Sequence, residues 1–115
     1  MNGTHRVDQD GQTPREDAMT HKIAVFGSAS GSRVVPGELV ASNDDTIEIT
    51  GIDSEIIVWF PWKPRAGSLE TGSQGKPVCL KVQRMKPGVY QYGVYHVDTR
   101  SQAQGHSSPI IIIER

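Results

Sequence analysis

Apolar residues along the chain recur with the two-residue period of β-strands. Residues 46–50 read Thr-Ile-Glu-Ile-Thr, so Ile47 and Ile49 share one face of a strand while the polar side chains face water. Residues 78–83 alternate in the same way. Residues 55–60 read Glu-Ile-Ile-Val-Trp-Phe and are apolar on both faces, which predicts a strand in the middle of a packed sandwich.

The C-terminal part of the chain contains the strongest strand signals. A Lys-Pro-Gly turn at residues 86–88 leads into a long strand rich in Val and Tyr, and a polar loop then returns the chain to a run of isoleucines at residues 110–113. No segment has a convincing helical period. The pattern predicts an all-β fold, an antiparallel Greek-key β-sandwich or barrel of about seven to eight strands.

Residues 1–20 differ from the rest of the chain because they show neither the strand period nor the helix period. Few of them are apolar, so they cannot bury enough surface to order themselves. We predict a disordered leader over residues 1–20 and one domain over residues 21–115. The leader also lacks the apolar central stretch of a secretory signal.

Charge and composition exclude several classes of partner. The chain has 12 Lys and Arg residues against 13 Asp and Glu residues, a formal net charge of -1, and therefore no overall basic field to attract nucleic acid. The apolar runs at residues 56–61 and 109–113 are too short to cross a bilayer, so we predict no membrane insertion. A single cysteine cannot form an intrachain disulfide.

Five sequence landmarks follow one another in the order found in a known family. They are a Pro-containing lead-in, an Asp-Thr-Ile strand, an Ile- and Val-rich strand, a Pro-Gly-x-Tyr-x-Tyr strand and a terminal isoleucine-rich strand. They lie at residues 35–40, 45–49, 56–61, 86–92 and 110–114. This order resembles that of the cupredoxins, the small blue-copper β-sandwiches, over residues 22–114. The resemblance implies a cupredoxin-like fold and a periplasmic or extracellular location.

The copper ligands of that family have no counterparts at the matching positions. A type-1 copper site combines a thiolate with two imidazoles and usually a weak axial thioether. Residues 53–55 stand where the resemblance places the first histidine, and Gly93 and Val94 stand where it places the cysteine. Cys79 lies on an earlier strand. We therefore predict that the blue-copper ligands are lost and that the domain has no cofactor.

Two histidines offer an alternative metal site. His96 and His106 lie in the same loop region, and Asp98 or Glu55 could complete a set of nitrogen and oxygen ligands. Copper or zinc accepts such ligands. The alternative interpretation is that both histidines are solvated loop residues, because their spacing matches no compact metal motif.

Trp62 and Tyr95 are the candidate residues of a binding surface. Trp62 lies in a loop between two prolines, where complete burial of a tryptophan is difficult, and Tyr95 takes the strand face opposite to Tyr90 and Tyr92. Exposed aromatic rings are common anchors at interfaces. The alternative interpretation is that Trp62 folds back over the end of the sandwich.

The sequence carries no catalytic motif and is not expected to be an enzyme. It has no Gly-x-Ser-x-Gly elbow, no His-Glu-x-x-His and no phosphate-binding loop. We predict a non-catalytic binding domain that recognises a protein partner. The alternatives are a divergent copper- or zinc-binding protein and a self-associating structural module, in which residues 110–113 would pair with another copy if they lay at a sheet edge.

Overall fold

The computed structural model describes residues 18–28, 31–63, 68–102 and 109–114. The strands are β1 (Thr20–Ser28), β2 (Gly31–Val35), β3 (Glu38–Ala41), β4 (Thr46–Gly51), β5 (Ile56–Phe60), β6 (Ser68–Gly72), β7 (Val78–Lys81), β8 (Gly88–Gln91), β9 (Gly93–His96), β10 (Ser101–Gln102) and β11 (Ile110–Ile113). The described part of the chain contains no helix, and hence none that could span a membrane.

The strands form three sheets around one core. Their orders are β2-β1-β4-β7, β10-β9-β5-β6 and β3-β11-β8. Tyr92 alone separates β8 from β9, and its backbone N–H donates to the carbonyl of Pro109, so one chain segment serves two sheets. The predicted all-β sandwich is confirmed. It has more strands than expected because segments such as this one divide between sheets.

The sheets are mixed and not purely antiparallel. Sequence neighbours such as β1 and β2 or β5 and β6 pair antiparallel, as expected for hairpins. Strands β1 and β4 pair parallel, and so do β3 and β11. The reason is the route of the chain: β3 leaves for another sheet, and β4 then returns beside β1 in the same direction.

Strand β11 is an inner strand. It lies between β3 and β8 and pairs with both along its whole length. The edge position that the self-association hypothesis required for residues 110–113 is therefore wrong. Ile111 and Ile113 are buried in the core, which gives the isoleucine run a structural role.

The core contains one face of each main strand. Ile47 and Ile49 are completely buried, as their alternation predicts. Strand β5 buries Ile56, Val58 and Phe60 but leaves the intervening side chains on its outer face. The prediction that both faces of β5 are covered is wrong, because no described sheet packs over the outer face. Burying the inner face contributes about 1.5–3 kcal/mol per large apolar side chain.

Candidate functional site

A groove of about 490 Å³ lies on the sheet β10-β9-β5-β6, and we call it the outer groove. Most of its walls are apolar, and its residues come from β5, β6, β9 and β10 and from Tyr92 and Pro109. The lining residues are Ile57, Trp59, Leu69, Tyr92, Gly93, Val94, Tyr95, Gln102 and Pro109. The outer groove contains the most exposed large apolar side chain of the described residues, Leu69, which is 71% exposed.

Strand register brings the apolar side chains of the outer groove together. Trp59 pairs with Leu69 on one side and with Gly93 on the other. A Cβ at Gly93 would lie 3.7 Å from the Trp59 ring, so the ring extends over a position that has no side chain. Ile57 and Tyr95 pair in the same way. Trp59 is 49% exposed, which leaves an open aromatic and aliphatic surface.

Trp59 and Leu69 were missed as candidate binding residues. The alternation of β5 separates Trp59 from Val58 and Phe60, so the sequence does place Trp59 on the face opposite to these core residues. It does not tell which of the two faces is covered. Tyr95, which was predicted, lies in the outer groove and is half-buried.

Trp62 lines a different groove of about 400 Å³, which we call the basic groove. It lies beside the connection between β7 and β8, and no residue is shared with the outer groove. The lining residues are Trp62, Lys63, Leu80, Lys81, Gln83, Arg84, Met85, Lys86 and Tyr90. Trp62 and Tyr95 therefore do not form one binding surface, and the role predicted for each stays a prediction.

Contacts inside the domain hold Trp62 in place. Its indole Nε1–H donates to the carbonyl oxygen of Gln91 at 2.8 Å. Its ring packs edge-to-face with Phe60 and Tyr90, with ring centroids 5.3 and 5.1 Å apart. Such pairs contribute about 0.5–1.5 kcal/mol beyond area burial. The ring thus folds back on the sandwich, and Trp62 also lines the basic groove.

His96 is buried, and both of its ring nitrogens have hydrogen-bond partners. The side chain is 3% exposed. Nε2 lies 3.1 Å from the carbonyl oxygen of Ile52, and since that oxygen can only accept, Nε2 carries a proton. Nδ1 lies 3.0 Å from the hydroxyl of Thr99. A Cβ at Gly27 would come within 2.5 Å of the ring, so this position requires glycine.

The described residues do not fit a type-1 copper site. Gly93 and Val94, where the resemblance places the cysteine, carry no metal-binding side chain, and Val94 is buried and pairs with Val58. Cys79 is exposed on β7, in another sheet. Among the residues that the structure describes, no group of three or more His, Cys, Asp and Glu side chains could hold a metal ion.

The copper or zinc site proposed for His96 and His106 stays a prediction. His106 lies outside the described residues. Glu55 and Asp98 are both exposed near the start of β5, where the Val97 amide donates to the Glu55 carbonyl. For His96 to bind a metal through either nitrogen, it would first have to break one of its two hydrogen bonds, which disfavours the exchange.

His21, near the start of β1, pairs with a buried carboxylate. Its Nε2–H donates to Asp45 at 2.8 Å. The backbone amides of Met19 and Ser42 also donate to Asp45, each at 3.0 Å. Burial by itself raises the pKa of Asp45, but the hydrogen bonds and the attraction of His21 outweigh it, so this pKa lies below its usual value. The contact spans 24 residues of sequence, and no local motif announces it.

Comparison with known proteins supports the fold assignment. No protein-family model and no curated relative match the sequence. A pseudoazurin from Sinorhizobium is 17% identical with a TM-score of 0.54, over 84% of this chain and 75% of that chain. A pseudoazurin from Hyphomicrobium denitrificans is 14% identical with a TM-score of 0.51, over 82% and 74% of the two chains.

An amicyanin mutant in its reduced state is also similar in structure. It is 12% identical with a TM-score of 0.51, over 87% of this chain and 85% of that chain. Because these identities are low, the likeness concerns the fold. The cupredoxin-like fold that the order of sequence landmarks predicted is confirmed.

Proposed function

We propose that this cupredoxin-like domain is a non-catalytic binding domain that recognises a partner protein through the outer groove. The observation that carries the proposal is the pairing of Trp59 with Leu69 on a sheet face that no other described sheet covers. Tryptophan is enriched among the residues that dominate binding energy at protein interfaces, and the exposed Leu69 beside it adds apolar surface.

The chemistry of the outer groove favours a protein partner with an apolar surface. Among its lining residues, Trp59, Tyr95 and Gln102 offer polar side-chain atoms outside the core, and none of the lining residues is charged. Covering Leu69 alone would contribute about 1.5–3 kcal/mol. The outer groove is apolar and needs no bound ion, so the proposal does not depend on a metal.

Site-specific photo-crosslinking in the native cell tests this proposal. A photoreactive residue at Leu69 is compared with one at Val89, which is also exposed but lies on β8 in another sheet. We expect one discrete protein adduct from Leu69 and none from Val89, and a roughly fivefold lower yield when Trp59→Ala is added. No adduct at Leu69, or a yield unaffected by Trp59→Ala, would contradict the proposal.

Self-association through the same groove is the second candidate. Strand β6 is at the end of its sheet and pairs only with β5 among the described strands, and Leu69 lies on it. Edge strands with exposed apolar side chains can pair with another copy. Sedimentation velocity over a range of concentrations distinguishes the two candidates. A dimer that Leu69→Glu abolishes supports self-association, whereas a protein that stays monomeric supports recognition of a partner protein.

The location outside the cytoplasm that the cupredoxin resemblance implies stays a prediction.

A further inference from the structure

The charges of this chain are segregated along the sequence although they nearly cancel overall. Between Glu70 and Asp98 there is no acidic residue, and this stretch contains Lys76, Lys81, Arg84 and Lys86. Three of these cations line the basic groove together with Lys63, and none of the lining residues is acidic. The net charge of -1 therefore conceals a local concentration of positive charge.

The cations of the basic groove differ in their partners. Lys63 pairs with Glu70 at 2.8 Å, and its ammonium also lies 4.7 Å from the centre of the Phe60 ring. Lys81 and Lys86 are exposed, and neither forms an ion pair with another described residue. These two ammonium groups are available to an anionic ligand.

Hydrogen bonds fix the loop that carries these charges. Asn43 makes two bonds to Met85: its Nδ2–H donates to the Met85 carbonyl at 3.0 Å, and its Oδ1 accepts from the Met85 amide at 2.9 Å. Val82 is held by backbone bonds to Asp44 and Asp45. The Tyr90 hydroxyl donates to the carbonyl of Lys86. A wall that is already ordered loses little entropy on binding.

The aromatic rings supply the apolar part of the basic groove. Trp62 and Tyr90 pack edge-to-face, and their polar atoms already bond to the backbone carbonyls of Gln91 and Lys86. What they offer a ligand is therefore ring surface. Met85 adds a flexible thioether beside them. The volume of about 400 Å³ lies within the range of ligand-binding pockets.

We propose that the basic groove binds an acidic segment of a partner protein. Carboxylates of the segment pair with Lys81 and Lys86, and an apolar side chain between them packs on Trp62. A peptide combines charge with apolar groups, which matches both parts of the groove. A nucleic acid or a sulfated polymer needs a more extended basic surface than one groove on a chain of net negative charge provides. This site is separate from the outer groove.

Fluorescence titration of the full chain tests the proposal. The chain has two tryptophans, so the variant Trp59→Phe leaves Trp62 as the only one and makes emission report on the basic groove. The probe is a synthetic peptide of alternating Glu and Leu, and the control peptide has Gln at every Glu position. We expect saturable binding of the acidic peptide, weakened by salt, and no binding of the control peptide.

Matched charge variants, made in the same Trp59→Phe background, assign the binding to the groove. Lys81→Gln with Lys86→Gln removes its two available cations, whereas Lys22→Gln with Lys76→Gln removes two exposed cations elsewhere. We expect the first pair to raise the dissociation constant roughly tenfold and the second to change it less than about twofold. Circular dichroism of all variants checks that they fold.

Three results would overturn the proposal. Equal losses in the two charge variants would show a general charge effect, and binding of the control peptide would show that carboxylates are not recognised. Heparin binding that requires Lys81 and Lys86, without binding of the acidic peptide, would assign the groove to a polyanion. The crosslinking experiment at Leu69 tests the outer groove and does not depend on any of these three results. Failure of the basic-groove proposal is therefore distinguishable from failure of the proposed function.

Discussion

The two faces of β5 are both apolar but have different surroundings. Ile56, Val58 and Phe60 point inward and are fully buried. Ile57 and Trp59 alternate with them and point outward, where Trp59 is 49% exposed. A strand in the middle of a sheet is therefore apolar on both faces without being covered on both.

This difference teaches that alternation assigns side chains to faces but does not identify the environment of a face. The inner face of β5 is apolar because it packs in the core, and folding alone explains it. The outer face buries much less apolar surface on folding, because Ile57 is only half-buried and Trp59 is 49% exposed. An apolar surface that the domain leaves uncovered requires another explanation, and binding is the one we propose.

Neighbouring isoleucines on β5 give the most direct test of this comparison and the largest expected effect. We expect Ile56→Ala to lower the free energy of unfolding by about 2–5 kcal/mol, because it leaves a cavity in the core. Ile57→Ala, at a half-buried position, should cost about 1 kcal/mol. Urea unfolding of both variants measures the difference. Equal losses would mean that the outer face is also covered.

Buried and exposed carboxylates extend the comparison to polar groups. Asp45 is 3% exposed and accepts bonds from His21 and from two backbone amides, whereas Asp53 is exposed. We expect Asp45→Asn to lower the free energy of unfolding by about 2 kcal/mol at neutral pH, and Asp53→Asn to lower it by less than about 0.5 kcal/mol.

The lowered pKa of Asp45 makes the stability of the fold depend on pH. Ionised Asp45 contributes fully to the free energy of unfolding above its ordinary pKa of 3.8. This contribution is lost as the pH falls through the lower pKa of the folded state. The stability difference between wild type and Asp45→Asn should therefore shrink below about pH 4. A difference that stayed constant down to pH 2 would show that the charge of Asp45 is not what stabilises the fold.

Tyr92 presents the opposite case, a buried hydroxyl that burial does not favour. Its hydroxyl has no hydrogen bond among the described residues, and burial raises the pKa of this phenol above its usual value of 10.0. We expect Tyr92→Phe to leave stability within about 1 kcal/mol of wild type at neutral pH. Above about pH 10, the Tyr92 phenol ionises more readily in the unfolded state than in the folded state, which stabilises the unfolded state. Wild type should therefore lose more stability than Tyr92→Phe in this pH range.

Thermal unfolding of wild type and Tyr92→Phe at pH 7 and pH 11 measures both parts of the prediction. A large loss of stability in Tyr92→Phe at pH 7 would reveal a hydrogen-bond partner for the hydroxyl.

Metal titration carries the smallest expected effect. Because both nitrogens of His96 already have partners, we expect neither Zn(II) nor Cu(II) to bind there stoichiometrically. Mass spectrometry and visible spectroscopy of tag-free wild type and of the His96→Ala, His106→Ala double variant check this. Stoichiometric binding that the double variant loses would instead support the copper or zinc hypothesis, and an intense thiolate-to-copper band would implicate Cys79.

Much of the fold could be predicted because its signals are local. The alternation at Ile47 and Ile49 and the position of Val78 opposite Cys79 follow from the two-residue period of a strand. The order of the landmarks gave the cupredoxin-like fold, which the structural comparisons confirm. Less of the candidate sites could be predicted: Tyr95 lies in the outer groove and Trp62 in the basic groove, but Trp59 and Leu69 were missed.

The sequence by itself determined most strand positions, the faces that their side chains share and the absence of a cysteine at residues 93 and 94, where the cupredoxin resemblance places the copper ligand. Each of these depends on residue type or on the spacing of neighbours. Only the tertiary structure decided that β11 is an inner strand, that His21 bonds to Asp45, and that the outer face of β5 is open. These properties depend on pairing between strands far apart in the chain, and a local pattern contains no information about which distant strand arrives beside it.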